Sequence, residues 1–351
     1  MRTFRSDNNA GLCPEAMQAI QDANDHSHVI GYGDDAWTAR AVDAFKAVFG
    51  EGTGVFFVAT GTAANTLAIA SLTQPWEQVL CHAHSHYNDD ESTAPERLTH
   101  CRTVQIHPRD EGSKITPEDL ARAASKSRGD VHQAQPGVLT ISNTTEFGTV
   151  YSPAEVRALC TMAHDAGYRV HMDGARFANA VAALGCHPRE LTVDAGLDAL
   201  SFGGTKNGLA FGEAVLFFPQ GDGVVCKRAC EVFPFHRKGT GHLLSKHRFV
   251  SAPFAATLAG GAWLRHARHA NAMAKRLGEG LAAMGLAPRF AVDANAVFVT
   301  LPDRVDRALR AAGHGYYGFG EPEWRLSRLM CSFNTDAADV DALLEDARSA
   351  R

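Results

Sequence analysis

The sequence predicts an α/β fold, with a large domain built on a mainly parallel sheet and a smaller α+β domain towards the C-terminus. Its 351 residues correspond to about two domains at roughly 150 residues each. Hydrophobic residues make up 45% and charged residues 21% of the chain, which is typical of a globular protein. Short apolar runs alternate with helix-like segments over about the first 220 residues, and this alternation indicates a parallel sheet covered by helices.

Apolar runs rich in Val, Ile and Phe are predicted as the strands of the large sheet. They are residues 55–59, 78–82, 103–107, 137–142, 169–173, 199–203 and 214–218. The helical patterns between them cover 63–72, 116–128, 152–167 and 176–185. Thr116 and Ser152 are predicted N-caps, because each is followed by Pro and has an acidic residue in the first turn.

The pattern changes after about residue 220, where long helical stretches begin, including one over 255–284. Strands over 296–301 and 329–333, a helix near Asp306 and a terminal helix over 339–349 predict the smaller domain. We therefore expect an N-terminal segment (1–18), a large domain (19–250) and a small C-terminal domain (251–351).

Composition and charge exclude several classes of protein. Lys and Arg number 34 against 39 Asp and Glu, a net charge of −5, so nucleic acids and acidic membranes are not expected partners. The uncharged stretch 52–76 is long enough to span a bilayer, but its five Thr and three Gly argue against that. The first residues lack the apolar segment of a secretory signal, so we expect a cytoplasmic protein. Its eight cysteines, without a CxxC pair, are expected to be free and mostly buried.

Three predicted strands end in residues that could form one site, since ligands in open α/β sheets bind at the carboxyl ends of the strands. The first strand leads into Thr60-Gly61-Thr62 at a helix start, where free N–H groups and the helix dipole suit a phosphate. The fifth strand ends at Asp173, and the sixth leads to Lys206 among glycines. Each feature alone is more simply explained as a turn, a structural ion pair or a solvated lysine.

Together, these three features match what pyridoxal 5'-phosphate (PLP) requires. The cofactor needs a phosphate clamp, an acid for its pyridine nitrogen and an amine that forms a Schiff base. The Gly-Thr turn fits neither the GxGxxG nor the GxxxxGK[ST] phosphate loop. The sequence therefore predicts PLP as the cofactor.

A cluster of histidines offers a second interpretation. Residues two apart on a strand share a face, so His82, His84 and His86 could converge on a metal ion. The HxHxDH pattern of metallohydrolases requires Asp where Ser85 stands, and further ligands are only loosely placed. We predict no metal and keep a metallohydrolase as the alternative from a different enzyme class.

The motifs of the chain resemble, in order and over nearly its whole length, those of the low-specificity L-threonine aldolases and their phenylserine aldolase-like members. They are SDNNAGLCPEAM near the N-terminus, YGDD at 32–35, ATGTAAN at 59–65, AHSHYNDDESTAPE at 83–96, TEFGTVYSP at 145–153, HMDGARFANA at 171–180, SFGGTKNG at 201–208 and LMCSF at 329–333. HMDGAR and GGTKNG together are the most specific. The resemblance implies a PLP-dependent enzyme of the aspartate-aminotransferase-like fold (fold type I).

The resemblance also implies roles for individual residues. Lys206 would carry the cofactor as a Schiff base, Asp173 would keep the pyridine nitrogen protonated, and His86 would stack on the ring. The other implied ligands are Gly61, Thr62 and Thr205 for the phosphate, Arg176 beside the phenolic oxygen of the cofactor, and Ser6, Arg176 and Arg328 for the substrate carboxylate, with Arg325 an alternative to Arg328.

The implied reaction is retro-aldol cleavage of L-β-hydroxy-α-amino acids, such as threonine, allo-threonine or phenylserine, to glycine and an aldehyde. Many members have a His in an ENTHNG motif, whereas the matching segment here contains Glu146. Either Glu146 or a water held by His86 is expected to accept the β-hydroxyl proton. A related PLP-dependent lyase that acts by β-elimination remains an alternative.

Members of this family are typically tetramers whose subunits share active sites. The resemblance therefore implies a homotetramer in which Tyr32, Arg237, Lys238 and Lys246 contact the site of a neighbouring subunit. It also implies that the segment 1–18 joins the active site through Ser6. The preferred substrate side chain and the erythro or threo selectivity stay open.

Overall fold

A computed structural model of the chain describes residues 3–24, 28–109, 112–124 and 129–351. The strands of its large sheet are β1 (Gly54–Val58), β2 (Glu77–His82), β3 (Arg102–Ile106), β4 (Gln135–Ser142), β5 (Arg169–Gly174), β6 (Ala199–Gly203) and β7 (Glu213–Phe217). Their order in the sheet is β1-β7-β6-β5-β4-β2-β3, and β7 is antiparallel to both of its neighbours. The remaining pairs are parallel. The predicted α/β fold with a mainly parallel sheet is thus confirmed.

Helices that follow or connect these strands bury both faces of the sheet. They are α1 (Pro14–Ala23), α2 (Ala36–Phe49), α3 (Gly61–Leu72), α4 (His86–Asp89), α5 (Ala94–Thr99), α6 (Pro117–Ala124), α7 (Pro153–Asp165), α8 (Phe177–Leu184), α9 (Val224–Gly239), α10 (Arg248–Ala259) and α11 (Ala262–Ala283). Leu80 of β2 belongs to an apolar core with Phe45 of α2, whereas its neighbour Val79 belongs to another core with Leu67 of α3. Burial of adjacent residues on opposite faces is characteristic of parallel sheets.

The smaller domain contains β8 (Ala296–Thr300), β9 (Tyr317–Phe319), β10 (Leu326–Met330), α12 (Asp303–Ala311) and α13 (Ala337–Ser349). Its antiparallel sheet has the order β8-β10-β9. Phe4 connects the N-terminal segment to this domain: its N–H donates to Gly315 O at 2.7 Å, and its carbonyl accepts from Met330 N at 2.8 Å. The N-terminal segment therefore packs on the small domain just before the residues that reach the site.

Both predicted helix caps are confirmed by hydrogen bonds. Ser152 and Glu155 form a reciprocal capping box at the start of α7. The Thr116 hydroxyl accepts from Asp119 N at 3.2 Å, and the Asp119 carboxylate accepts from Thr116 N at 3.1 Å. Such pairs satisfy N–H groups that have no partner within the first turn of a helix.

Other boundaries differ from the prediction. The expected strand at 329–333 begins three residues earlier, as β10, because Leu326–Met330 pair with Ala296–Thr300 of β8. The helical stretch 255–284 is divided at Gly260 and Gly261 into α10 and α11. The last four residues of the predicted helix 116–128 lie outside the described residues. The domain boundary at 250/251 stays a prediction, and Ser251 lies within α10.

The cysteines and the hydrophobic segments behave as expected. All eight cysteines are free, and six are buried. The uncharged stretch 52–76 forms β1 and α3, so its apolar residues are those of a sheet and a buried helix. Among the described residues, no helix has both the length and the apolar character to cross a membrane.

Candidate active site

Two neighbouring cavities lie at the carboxyl ends of the strands and share the residues Asn8, His86, Asp173, Ala175 and Lys206. The inner cavity, of about 320 Å³, is lined also by the start of α3 and by Ser201, Thr205 and Glu213. The outer cavity, of about 770 Å³, is lined also by Ser6, Glu146, Arg176, Arg328 and residues 317–321. The predicted residues at the ends of three strands therefore meet in one place.

The inner cavity contains the predicted phosphate site. Thr60 caps α3 by accepting a hydrogen bond from Ala63 N at 3.3 Å, so the helix begins at the cavity wall. Gly61, Thr62 and Thr205 all line this cavity. A Cβ atom built on Gly61 would meet no atom within 4 Å, so space remains at the helix start where backbone N–H groups can bind an anion.

The loop after β6 places Lys206 between the two cavities. A Cβ atom at Gly203 would lie 2.2 Å from Ala175 O, and one at Gly204 would lie 2.5 Å from Gly212 O. These positions require glycine because the backbone approaches them too closely for any side chain. Burial, together with the Arg176 charge, lowers the pKa of Lys206, which favours the neutral, nucleophilic amine.

Glu213 supports this loop from β7. Its Oε2 accepts a hydrogen bond from Gly204 N at 2.6 Å. Burial raises the pKa of Glu213 to about 7, against lowering contributions from Gly204 and Thr205. A carboxyl group therefore lies at the wall of the phosphate site, and burial favours its neutral form.

Asp173 lies at the end of β5, in the wall that both cavities share. Its Oδ2 accepts from Asn65 Nδ2 at 2.8 Å and its Oδ1 from Ala175 N at 2.9 Å. Burial alone would raise the pKa of Asp173, but the charges of His86 and Lys206 lower it. The carboxylate is therefore ionised, which suits it to pair with a protonated ring nitrogen.

His86 is the first residue of α4, after the N-cap Ser85. Its Nδ1 lies 2.9 Å from Glu91 Oε1, and its backbone N–H donates to Glu146 Oε1 at 2.9 Å. The hydrogen bond to Glu91 raises the pKa of His86 against the effect of burial. Glu146 also accepts from Ser142 Oγ at 2.6 Å, and burial raises the pKa of Glu146.

The three histidines do not form the metal site of the alternative interpretation. The strand β2 ends at His82, so the residues that follow do not alternate as on one strand face. His82 Nε2 lies 3.0 Å from Gly112 O, and its Nδ1 accepts from His84 N at 3.0 Å. Across the described ranges, the metal-like grouping that includes His86 joins it to Glu91 and Asp173, not to His82 or His84. The metallohydrolase interpretation is therefore wrong in its ligand set.

The two predicted carboxylate-binding arginines have different partners. Arg176 donates from Nε and Nη2 to both oxygens of Asp7, at 2.7 and 2.9 Å. Asp7 is buried, which by itself raises its pKa, but Arg176 lowers the pKa of this carboxyl group overall. Arg328, on β10, lines the outer cavity, and within the described part of the chain its guanidinium has neither a hydrogen bond nor an ion pair. The charge of Arg176 is thus compensated within the protein, while Arg328 keeps a donor available.

The alternative arginine lies elsewhere. Arg325 is exposed and pairs with Asp303 on the surface of the small domain, so the geometry favours Arg328 in the site. Ser6 lines the outer cavity, where its Oγ accepts from Asn8 N at 3.2 Å. The N-terminal segment therefore reaches the site as expected.

The residues predicted to contact a neighbouring subunit are not gathered at the cavities of this chain. Tyr32 is 50% exposed, and Lys238 Nζ lies 4.9 Å from the centre of its ring. Arg237 donates to Phe57 O at 3.3 Å. Lys246 lies just before α10. Their expected roles concern a second chain and stay predictions.

Sequence reasoning missed several residues of the site. Asn65, Glu91, Asp7 and Glu213 all contact predicted residues, as described above. Asp7 and Asn65 do lie within quoted motifs, SDNN and ATGTAAN, which could have drawn attention to them. Tyr317, Phe319 and Glu321 of the outer cavity come from a short edge strand and the loop after it, for which the sequence gives no such signal.

These features fit PLP: an open helix start for the phosphate, an ionised aspartate and a lysine with a lowered pKa line one pair of cavities. Together with the fold, they define the class as PLP-dependent enzymes of fold type I.

Comparisons with known proteins agree with this class and narrow it. The model of the beta-eliminating lyase family matches residues 3–304. The low specificity L-threonine aldolase of Pseudomonas sp. (strain NCIMB 10558) is 45% identical over 99% of this chain and 97% of its own length. The low specificity L-threonine aldolase of Pseudomonas aeruginosa is 44% identical over 98% of this chain and 96% of its own length. The chain belongs to the low-specificity L-threonine aldolase family.

Solved structures agree on the fold. A threonine aldolase from Leishmania major superposes with a TM-score of 0.90 at 24% identity, covering 99% of both chains. A putative L-allo-threonine aldolase from Listeria monocytogenes superposes with a TM-score of 0.72 at 16% identity, covering 100% of this chain and 96% of that one. An aspartate aminotransferase from Thermus thermophilus superposes with a TM-score of 0.68 at 18% identity, covering 99% of this chain and 96% of that one. The smaller C-terminal domain is therefore part of the same fold.

Proposed function

We propose that the protein is a PLP-dependent aldolase that cleaves L-β-hydroxy-α-amino acids to glycine and an aldehyde. The observation that carries the proposal is the Arg328 guanidinium, which lines a cavity shared with Lys206 and Asp173 and has neither a hydrogen bond nor an ion pair with any described residue. It provides a binding group for a carboxylate next to the predicted site of the cofactor. The family membership of the chain supports the same reaction.

The cofactor, when bound, supplies an electron sink for the cleavage of a bond to Cα. In our proposal, Lys206 holds it as a Schiff base, and the ionised Asp173 keeps its ring nitrogen protonated. Gly61, Thr62 and Thr205 bind its phosphate. His86 lies against the ring, and Arg176, fixed by its aspartate partner, lies beside the phenolic oxygen and close to the substrate.

Orientation of the substrate selects the bond that breaks. Arg328 and Ser6, with Arg176 nearby, would hold the substrate carboxylate and so fix the direction of the Cα–Cβ bond. Holding the reacting groups in this geometry accounts for a large part of the rate in such reactions. It also disfavours deprotonation or decarboxylation at the same carbon.

Glu146 is the proposed acceptor of the β-hydroxyl proton. It lines the outer cavity, and burial raises its pKa towards the range of an effective general base. A water held by His86 is the second candidate. Glu146→Gln should lower kcat and remove the acidic limb of the kcat/KM profile, and an unchanged profile would exclude Glu146 and favour the water.

The outer cavity favours a broad range of substrates. Its volume is about 770 Å³, and its lining includes the aromatic side chains of Tyr317 and Phe319. We therefore propose that it accepts phenylserine, with its phenyl ring, as well as threonine and allo-threonine. A panel of these amino acids, each as its separate stereoisomers, with detection of the aldehyde will define the preference.

Formation of a covalent bond to Lys206 is the central test. Borohydride reduction of the PLP-loaded protein should fix the cofactor on a peptide containing Lys206, and Lys206→Ala should abolish both fixation and turnover. Lys275→Ala is the matched control, since Lys275 is a surface lysine with 71% of its side chain exposed. A protein that neither absorbs visible light with PLP nor forms this adduct would overturn the proposal.

The second candidate function is β-elimination, which the description of the matching family model favours. It would use the same lysine, aspartate and phosphate site. The products distinguish the reactions: glycine and an aldehyde support the aldolase, whereas a keto acid and ammonia support elimination.

We further propose that the protein is a cytoplasmic homotetramer with shared active sites, divided at 1–18, 19–250 and 251–351. Eight free cysteines are the pattern of a reducing compartment. Light scattering tests the tetramer. If Tyr32 serves the neighbouring site, mixing inactive Lys206→Ala and Tyr32→Phe subunits should restore part of the activity, and no recovery would argue against sharing through Tyr32.

A further inference from the structure

At the wall of the inner cavity, Asn65 joins two carboxylates. Its Nδ2 donates to Glu91 Oε1 and to Asp173 Oδ2, both at 2.8 Å. Glu91 Oε1 lies 2.9 Å from His86 Nδ1 as well. A continuous chain of hydrogen bonds, here called the Asn65–Glu91 bridge, therefore runs from His86 through Glu91 and Asn65 to Asp173.

The bridge lies away from solvent. Glu91 is 3% exposed, Asn65 also 3% and Asp173 8%. Two carboxylates at this depth repel one another unless a donor or a cation lies between them. The two hydrogens of the Asn65 amide provide one donor for each, so hydrogen bonds replace the cation that His86, Glu91 and Asp173 could otherwise hold.

We infer that Asn65 and Glu91 are positioning residues of the active site, and this inference rests on the proposed function. Glu91 fixes the imidazole ring of His86 through Nδ1, and Asn65 ties Glu91 to Asp173. The group that faces the cofactor ring and the group that faces its nitrogen are thus held by one rigid bridge. Neither Asn65 nor Glu91 takes part in the reaction itself.

The charges around His86 give the bridge a second effect. Glu91 faces His86 from the segment after α4, Asp173 from β5, Lys206 from the loop after β6 and Glu146 from the loop after β4. Glu91 and Asp173 raise the pKa of His86, whereas Lys206 lowers it. Because Glu91 is the directly bonded partner, loss of its charge should lower the pKa of His86 more than loss of a distant carboxylate.

The two atoms of the Glu91 carboxylate allow a clean substitution. Oε1 accepts both hydrogen bonds of the bridge, while Oε2 is buried without a partner. Glu91→Gln can keep the oxygen as the double acceptor and place its amide at the unpartnered position, so it removes only the charge. Glu91→Ala removes the hydrogen bonds as well. Glu96→Gln, an exposed site in the same segment, is the matched control.

The experiment uses PLP-loaded wild type and the three variants. Cofactor affinity is measured by titration, ring geometry by visible circular dichroism, and the pKa of His86 by NMR titration of its imidazole protons. Glu91→Ala should weaken cofactor binding about tenfold or more, the loss expected for hydrogen bonds to a charged group, and reduce the visible dichroism. Glu91→Gln should keep both close to wild type but lower the pKa of His86. Glu96→Gln should match wild type throughout.

Several results would overturn the inference. Wild-type affinity and dichroism in Glu91→Ala would show that the bridge does not position the ring. If Glu91→Ala fails to fold, as its far-ultraviolet dichroism would reveal, an unshifted pKa of His86 in Glu91→Gln would show that Glu91 does not hold the imidazole ring. One equivalent of bound divalent metal in the wild type, with dichroism sensitive to a chelator, would show that a cation holds the carboxylates. If wild type itself binds no PLP, the proposed function fails, which is a distinct outcome.

Discussion

Replacing Glu213 with Gln should stabilise the cofactor-free protein at neutral and alkaline pH. Burial in the wall of the phosphate site raises the pKa of Glu213 to about 7 from its ordinary 4.5. The carbonyl of a Gln can still accept the hydrogen bond from Gly204 N, which is 2.6 Å long in the wild type. The substitution therefore removes the titrating group while its main contact is kept.

The magnitude follows from the difference between the two pKa values. A rise from 4.5 to about 7 corresponds to about 3 kcal/mol, at roughly 1.4 kcal/mol per unit. The folded protein keeps a proton on Glu213 that the unfolded chain releases in this range. The stabilisation by this proton is complete below pH 4.5 and is lost as the pH rises through about 7. The unfolding free energy of Glu213→Gln minus that of wild type should therefore rise by up to about 3 kcal/mol towards pH 8.

Urea denaturation between about pH 5 and 8 measures this difference. The protein concentration must be held constant, because subunit association also contributes to stability. Glu118→Gln, at an exposed position of α6, is the control for the loss of a carboxylate and should show a flat difference. If the difference for Glu213→Gln is equally flat, Glu213 does not titrate as its burial implies, and the reasoning is refuted.

Three further substitutions, two of them with a comparison variant, test the packing and the charges of the site. Asp7→Asn should lower the unfolding free energy by about 3–5 kcal/mol, since Arg176, with 18% of its side chain exposed, is left without its counter-ion. Asp303→Asn, which breaks an exposed pair, should cost less than about 1 kcal/mol in the same urea assay. Arg328→Gln should raise KM for threonine about tenfold or more, whereas Arg325→Gln should leave it unchanged; equal effects would contradict the choice between them. Gly203→Ala should sharply lower the melting temperature because its Cβ would meet a backbone oxygen at 2.2 Å, and an unchanged melting temperature would disprove this close packing.

The large sheet could be predicted from the sequence because most of its strands are buried on both faces, although the edge strand β3 is partly exposed. Such strands are continuous apolar runs, and each of them was located to within two residues. The reversed direction of β7 could not be predicted, since an apolar run such as 214–218 has the same composition in either direction. The break between α10 and α11 was missed because Gly260 and Gly261 lie within an otherwise helical pattern, where a glycine is only mildly unfavourable.

The residues of the site likewise include some that could be predicted from the sequence and some that could not. Lys206, Asp173 and the start of α3 follow directly from strands, so their positions at the sheet edge could be expected from the chain alone. Glu91 and Asn65 could not be placed, because the two residues are 26 positions apart in sequence and meet only after folding. The metal prediction for His82 and His84 failed for a local reason. Their spacing would place both side chains on one face of a strand, but the strand β2 ends at His82.

The way the charges are paired explains why the substrate site needs three parts of the chain. Asp7, from the N-terminal segment, neutralises Arg176 and also accepts from Asn295 Nδ2 at 3.0 Å. Asn295, just before β8, donates in turn to Cys331 O at 2.8 Å, next to β10. The same contacts therefore hold the N-terminal segment, the end of β5 and the small sheet together. Arg328 is brought to the cavity by that small sheet with a donor still free, so a substrate carboxylate meets one uncompensated arginine only when all three parts are assembled.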